Sequence, residues 1–192
     1  MKKLLMLGMF FFLLTGCEKE ELDMESDAEM LDATTEVFLR TSLKNKMVPL
    51  KGDIIEIADP TYGFLNCGIP DYFPPAHYDD ISGSLTHLGN VAGGDADLFN
   101  CRMGEREGMP FLLVDATGQF MSANGDALNY EGGLWFSFMD PTLSGSAFTI
   151  TGGTGRWENA KGYFAAIFQP LDDGTLLFRV DGYVSPPGQN KP

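Results

Sequence analysis

The chain is poor in the residues that most enzymes use for acid–base and nucleophilic chemistry. Its 192 residues include two histidines, His77 and His87, and three cysteines, Cys17, Cys67 and Cys101. No serine stands in a G-x-S-x-G elbow, which excludes that form of nucleophile. The cysteines have no C-x-x-C spacing and no adjacent histidine pair, so a zinc site is not expected. No metal, cofactor or catalytic residue is expected at all. Lysine and arginine number 13 against 27 acids and are nowhere clustered, which argues against nucleic-acid binding. No long stretch keeps a helical period, and the one long apolar run, Leu4 to Leu14, falls short of a bilayer span of roughly 30 Å.

That run has a use. Lys2 and Lys3 precede it, as in a signal peptide. It ends Leu14-Thr15-Gly16-Cys17, which resembles the lipobox of bacterial lipoproteins. The resemblance implies cleavage before Cys17, diacylglycerol on its sulfur and an acyl group on its new amine, since several acyl chains anchor stably where one does not. The alternative is an ordinary signal peptide with a chance cysteine. Glu18-Lys19-Glu20-Glu21 resembles the lysine-plus-two-acids signal that sends some Bacteroidetes lipoproteins to the cell surface, with Lys19, Glu20 and Glu21 carrying the match. The implied location is the outer membrane, lipid-anchored and facing outward; a periplasmic-facing anchor is the alternative.

Cleavage would remove two lysines and move the formal charge from −14 to −16. Half of that lies in residues 18–36, where nine acids and the single base Lys19 leave −8 with no aromatic residue. Such a segment reads as a self-repelling, disordered tether. An acidic arm for a cation or a basic partner is the alternative. The expected organisation is a signal peptide over 1–16, a tether over 17–36, one domain over 37–188 and a tail over 189–192.

The domain reads as all-β. Short apolar runs recur between Gly, Asp, Asn and Pro: "DIIEIA" (53–58), "SGSLTHLGNV" (82–91), "PFLLVDA" (110–116), "GQFMSAN" (118–124), "GGLWFSFMD" (132–140), "SAFTITG" (146–152), "GYFAAIFQPL" (162–171) and "GTLLFRVDGYV" (174–184). That spacing suits an antiparallel meander or barrel. Asp173-Gly174 suits a tight hairpin turn. Both faces of 134–139 and 163–168 are apolar, so a second face is expected to be covered by a loop, a helix, a ligand or another subunit. Residues 24–50 could supply part of that cover, starting as a short helix. Residues 60–80 hold Pro60, Pro70, Pro74 and Pro75 among five aromatics and read as a lid over one barrel end, with a binding loop as the alternative. With Cys17 acylated, Cys67 and Cys101 can form one disulfide, closing a loop of about 35 residues and stabilising by roughly 3–4 kcal/mol.

One run is more specific. "FTITGGTGRWENAKGYFAA" (148–166) resembles a glycine segment of dirigent proteins and allene oxide cyclase-like barrels, matching at Gly152, Gly153, Thr154, Gly155, Arg156, Trp157, Ala160 and Gly162. "LTHLGNV" (85–91) and "FMSANGDAL" (120–128) look like segments of bacterial lipoprotein relatives with calycin-like barrels. The resemblance implies an eight-stranded antiparallel barrel with an apolar cavity, trimeric in the plant relatives, so a homo-oligomer is among the expected partners. No counterpart of the plant pocket residues is found. A phosphate loop is the rival reading of the glycines, but strand rather than helix is expected after them.

Candidate cavity or rim residues are His87, Asn124, Asp126, Arg156, Arg179 and Asp181. His87 is placed on a strand beside Leu85 and Val91, where a hydrogen-bonded core histidine is the plain alternative. Asn124 is first a turn residue. Arg156 could pair with Glu158 at the rim. Arg179 and Asp181 share a face with Leu177 and would need pairing if it points inward. His77 falls in the proline-rich loop. Asp95 and Asp97 lack the further oxygens of a calcium loop. The expected function is a non-catalytic, lipid-anchored barrel that binds a small apolar or amphipathic ligand or serves as an assembly module. The alternative is a cyclase or isomerase that steers a reactive intermediate in the cavity.

Overall fold

The structure, a computed structural model, describes residues 47–69, 74–106, 108–171 and 175–188. The signal peptide, Cys17, the Lys19-Glu20-Glu21 signal, the acidic tether, the turn at 173–174 and the tail lie outside the described residues.

Eight strands form a closed antiparallel barrel in simple sequence order. They are β1 (Val48–Ala58), β2 (His77–Leu85), β3 (Gly89–Arg106), β4 (Met109–Ser122), β5 (Ala127–Ser137), β6 (Gly145–Gly153), β7 (Gly162–Pro170) and β8 (Leu176–Val184). Each pairs with the next, and β8 closes on β1 through Val48↔Val184 to Glu56↔Leu176. The expected all-β, eight-stranded barrel is therefore present. Closure leaves no free sheet edge.

Side-chain alternation fills the interior. In β6, Ser146, Phe148 and Ile150 point in and are buried, while Ala147 and Thr149 are exposed. In β8, Phe178, Val180 and Val184 are buried between exposed Arg179, Asp181 and Tyr183. Inward glycines make room for rings on the neighbouring strand. Gly132 pairs with Phe148, and a Cβ there would lie 2.1 Å from the Ala147 carbonyl oxygen and 2.8 Å from the Phe148 ring. Phe148 and Phe164 stack at 4.9 Å, and Tyr130 meets both edge-on at 5.2 and 5.4 Å.

One end of the barrel is plugged. Three short connections meet there: the β2–β3 turn, the β4–β5 turn and the 3-10 turn Gly155–Trp157. Trp157 is 1% exposed, with its Cβ against Gly153 and the Arg156 guanidinium 5.6 Å from its ring centre. Gly155 has φ +58, and a Cβ on it would run into the Asp126 carboxylate. The glycine segment thus seats a tryptophan plug, and strand β7 follows it.

The other end carries the long connection 59–76. Asp59 caps its first turn by accepting from the Thr61 N–H at 2.8 Å. Phe64 and Pro75 bridge, Leu98 N–H donates to the Ala76 carbonyl at 2.9 Å, and Cys67 is bonded to Cys101 of β3. The expected disulfide is formed and ties this loop to the barrel wall. Of the cover expected from residues 24–50, the short helix at its start lies outside the described residues, and residues 48–50 belong to β1, where Leu50 fills the core at 0% exposure. The expected second cover is met in part: Trp135 donates its indole N–H to the Leu143 carbonyl at 3.1 Å, so the β5–β6 loop covers it, whereas Ile167 stands 71% exposed on the outer face.

Candidate functional site

Above the Phe120–Tyr130–Phe148–Phe164 cluster the barrel is hollow. A cavity of about 730 Å³ runs from these rings to the end bearing Pro74, Pro75, Phe138 and Thr142. Its walls are Ala96, Leu98, Ala116, Leu134, Phe136, Ala166, Phe168, Phe178 and Val180. Small residues in β3, β4 and β7, where larger ones would fill the lumen, leave the space open. The volume lies within the usual range for small-molecule sites.

Glu56 is the exception in this lining. In β1 the buried parity runs Leu50, Ile54, Glu56, so the carboxyl enters the lumen at 4% exposure. Burial alone pushes its pKa up to about 8. Among the described residues it has no hydrogen-bond or ion-pair partner. It therefore holds its proton at neutral pH and can donate, or it ionises when a cation arrives. Tyr130 is also buried; desolvation raises its pKa well above the usual phenol value, and the charges of Glu56, Asp95 and Asp97 add to the shift. Its hydroxyl sits where a Cβ on Gly118 would fall, 2.5 Å away. Tyr78 of β2 lines the same space.

None of the six residues expected at a cavity or its rim is among the residues that line this cavity. His87 is in the exposed β2–β3 turn with φ +65, not on a strand, because the chain reverses between Leu85 and Gly89. Asn124 and Asp126 form the β4–β5 turn, Asn124 Nδ2 donating to the Asp126 carboxylate at 3.0 Å. Arg156 pairs with Asp126 at 3.2 Å rather than with Glu158, and it donates to the Leu88 carbonyl at 2.8 Å. These groups meet at the plugged end and hold it shut. Arg179 and Asp181 face outward and pair across to β1, Arg179 with Asp53 at 3.2 Å and Asp181 with Lys51 at 3.0 Å. His77 opens β2, paired with Asp97 at 2.7 Å and stacked on Tyr62 at 4.1 Å. Asp95 accepts from Gln119. Among the described residues no cluster of three or more His, Cys, Asp or Glu could hold a metal ion.

The residue that sequence reasoning missed is Glu56. "DIIEIA" read alone puts Ile55 and Ile57 inside and Glu56 outside. The signal that corrects it lies upstream, where Leu50 and Ile54 set the inward parity. No protein-family model matches the chain, and no curated protein matches it.

Proposed function

We propose that this protein is a lipid-anchored cell-envelope barrel that takes one small apolar or amphipathic molecule into its lumen. The cavity carries the reading: about 730 Å³ of space bounded mostly by carbon, closed at one end and reaching solvent at the other. Barrels of eight strands can hold one such ligand. Anchoring rests on the Leu14-Thr15-Gly16-Cys17 pattern and outward display on Lys19-Glu20-Glu21. A cyclase or isomerase would use acid–base groups close to one another; beside Glu56 the described lining offers the phenols Tyr78 and Tyr130 and neither a second carboxylate nor a histidine, which favours binding over turnover.

The uncharged dye N-phenyl-1-naphthylamine tests uptake. Its emission rises and shifts blue on binding one site per chain, and Ala116→Trp, which fills the wall, abolishes the response while leaving the strand circular dichroism intact. No response from the wild type, or an equal response from Ala116→Trp, overturns the reading. Intact mass of the mature protein checks the anchor, since it must begin at an acylated Cys17.

A further inference from the structure

We propose that the cavity is a receptor for an organic ammonium ion with an apolar body, its positive head against Glu56 and its body among the aromatic rings. This rests on the uptake of a small molecule proposed above and names its class.

Three observations converge on a cation. First, the carboxyl of Glu56 is buried, points into the lumen and is left without a partner among the described residues. A wholly apolar ligand would seal it there unpaired, which costs free energy. Second, the surroundings are aromatic. Phe120, Tyr130, Phe148 and Phe164 make the floor, and Phe168 and Phe178 stand on the wall. Aromatic rings attract cations over their faces. Third, among the described residues that line the cavity none is Lys, Arg or His, so a fatty acid or a phosphate would meet one carboxyl and no counter-charge. The formal charge of −14 also draws cations toward the protein.

Binding must then release a proton. Glu56 holds its proton in the free protein up to about pH 8, and an ammonium head is paired only by the ionised form. Among the described residues that line the cavity, the titratable groups besides Glu56 are phenols, Tyr78 of β2 and Tyr130 of β5, while β8 contributes Leu176, Phe178 and Val180. Asp95 and Asp97 of β3 add negative potential near Tyr130, which favours a cation further.

Isothermal titration at fixed salt, with decyltrimethylammonium, decanol and decanoate each below its micelle concentration, tests this. The cation is expected to bind at one site per chain at least about tenfold more tightly than decanol, with decanoate weakest. Because the quaternary head does not titrate, its affinity is expected to rise about tenfold per pH unit toward pH 8 and to level above. Glu56→Gln is expected to keep decanol and the dye and to lose both the preference and the pH dependence, with Glu56→Leu as a second folded control. Uptake of dye and decanol without a cation preference overturns this inference and leaves the uptake reading standing. A preference that survives equally in Glu56→Gln comes from the acidic surface and also overturns it. Failure of dye and decanol to bind overturns the uptake reading itself.

Discussion

Replacing Glu56 by glutamine should stabilise the protein, and more so as the pH rises. The side chain titrates at about 4.5 in the unfolded chain and at about 8 in the barrel. Below pH 4.5 both states hold the proton and the group has no effect. Between the two values only the folded state holds it, so unfolding releases a proton and stability falls by about 1.4 kcal/mol per pH unit. Above pH 8 both states are ionised and the loss levels off. At pH 7 it amounts to about 3 kcal/mol relative to pH 4. Glutamine keeps the shape and removes the titration. Urea unfolding of wild type and Glu56→Gln at pH 4, 6 and 7, with the disulfide intact, reads the difference directly, because the other carboxylates cancel between the two proteins. The expected gap widens by about 3 kcal/mol from pH 4 to pH 7, a midpoint shift of roughly 1–2 M urea. Two stability curves that stay parallel over this range would refute the argument that Glu56 is buried without a partner.

Three further outcomes are expected. Cys67→Ser with Cys101→Ser should lose about 3–4 kcal/mol of stability yet keep the strand circular dichroism, and the native protein should show neither of these thiols to alkylation before unfolding. Trp157→Ala should cost about 3–5 kcal/mol in urea unfolding, because it empties a site that is fully enclosed at the plugged end. Gly132→Ala should cost about 1–3 kcal/mol and broaden the aromatic signals of Phe148 in NMR spectra, since the added methyl meets backbone on one side and that ring on the other.

The apolar runs locate most of the strands, but their edges mislead where glycine and aspartate stand inside a ladder. "SGSLTHLGNV" reads as one strand, yet it holds the end of β2, a turn through His87 and the start of β3. "GGDADLF" falls outside every apolar run quoted above, yet Gly93 to Phe99 runs through β3, where a Cβ on Gly94 would strike the Gln119 carbonyl. "PFLLVDA" and "GQFMSAN" look like two strands and are the single β4, with Gly118 leaving space for the Tyr130 hydroxyl. Gly94 and Gly118 are demanded by partners on a neighbouring strand, which a local reading does not see. The candidate site was less legible than the fold. Charged residues draw attention, but Arg179 and Asp181 follow the outward parity of β8, whereas Glu56 is the one charged residue on the inward parity of β1. The disulfide was legible because only two cysteines remain once Cys17 is set aside.

A vessel with a single aperture fills and empties by the same route. Here one lip of that aperture is Pro74-Pro75, at the end of the connection that Cys67–Cys101 fastens to β3. Neither Cys67 nor Cys101 lines the chamber, so cleaving the bridge would leave the contacts of the proposed guest in place and loosen the lip. For the guest proposed above, residence time rather than occupancy is the quantity that oxidation of these two sulfurs is expected to set.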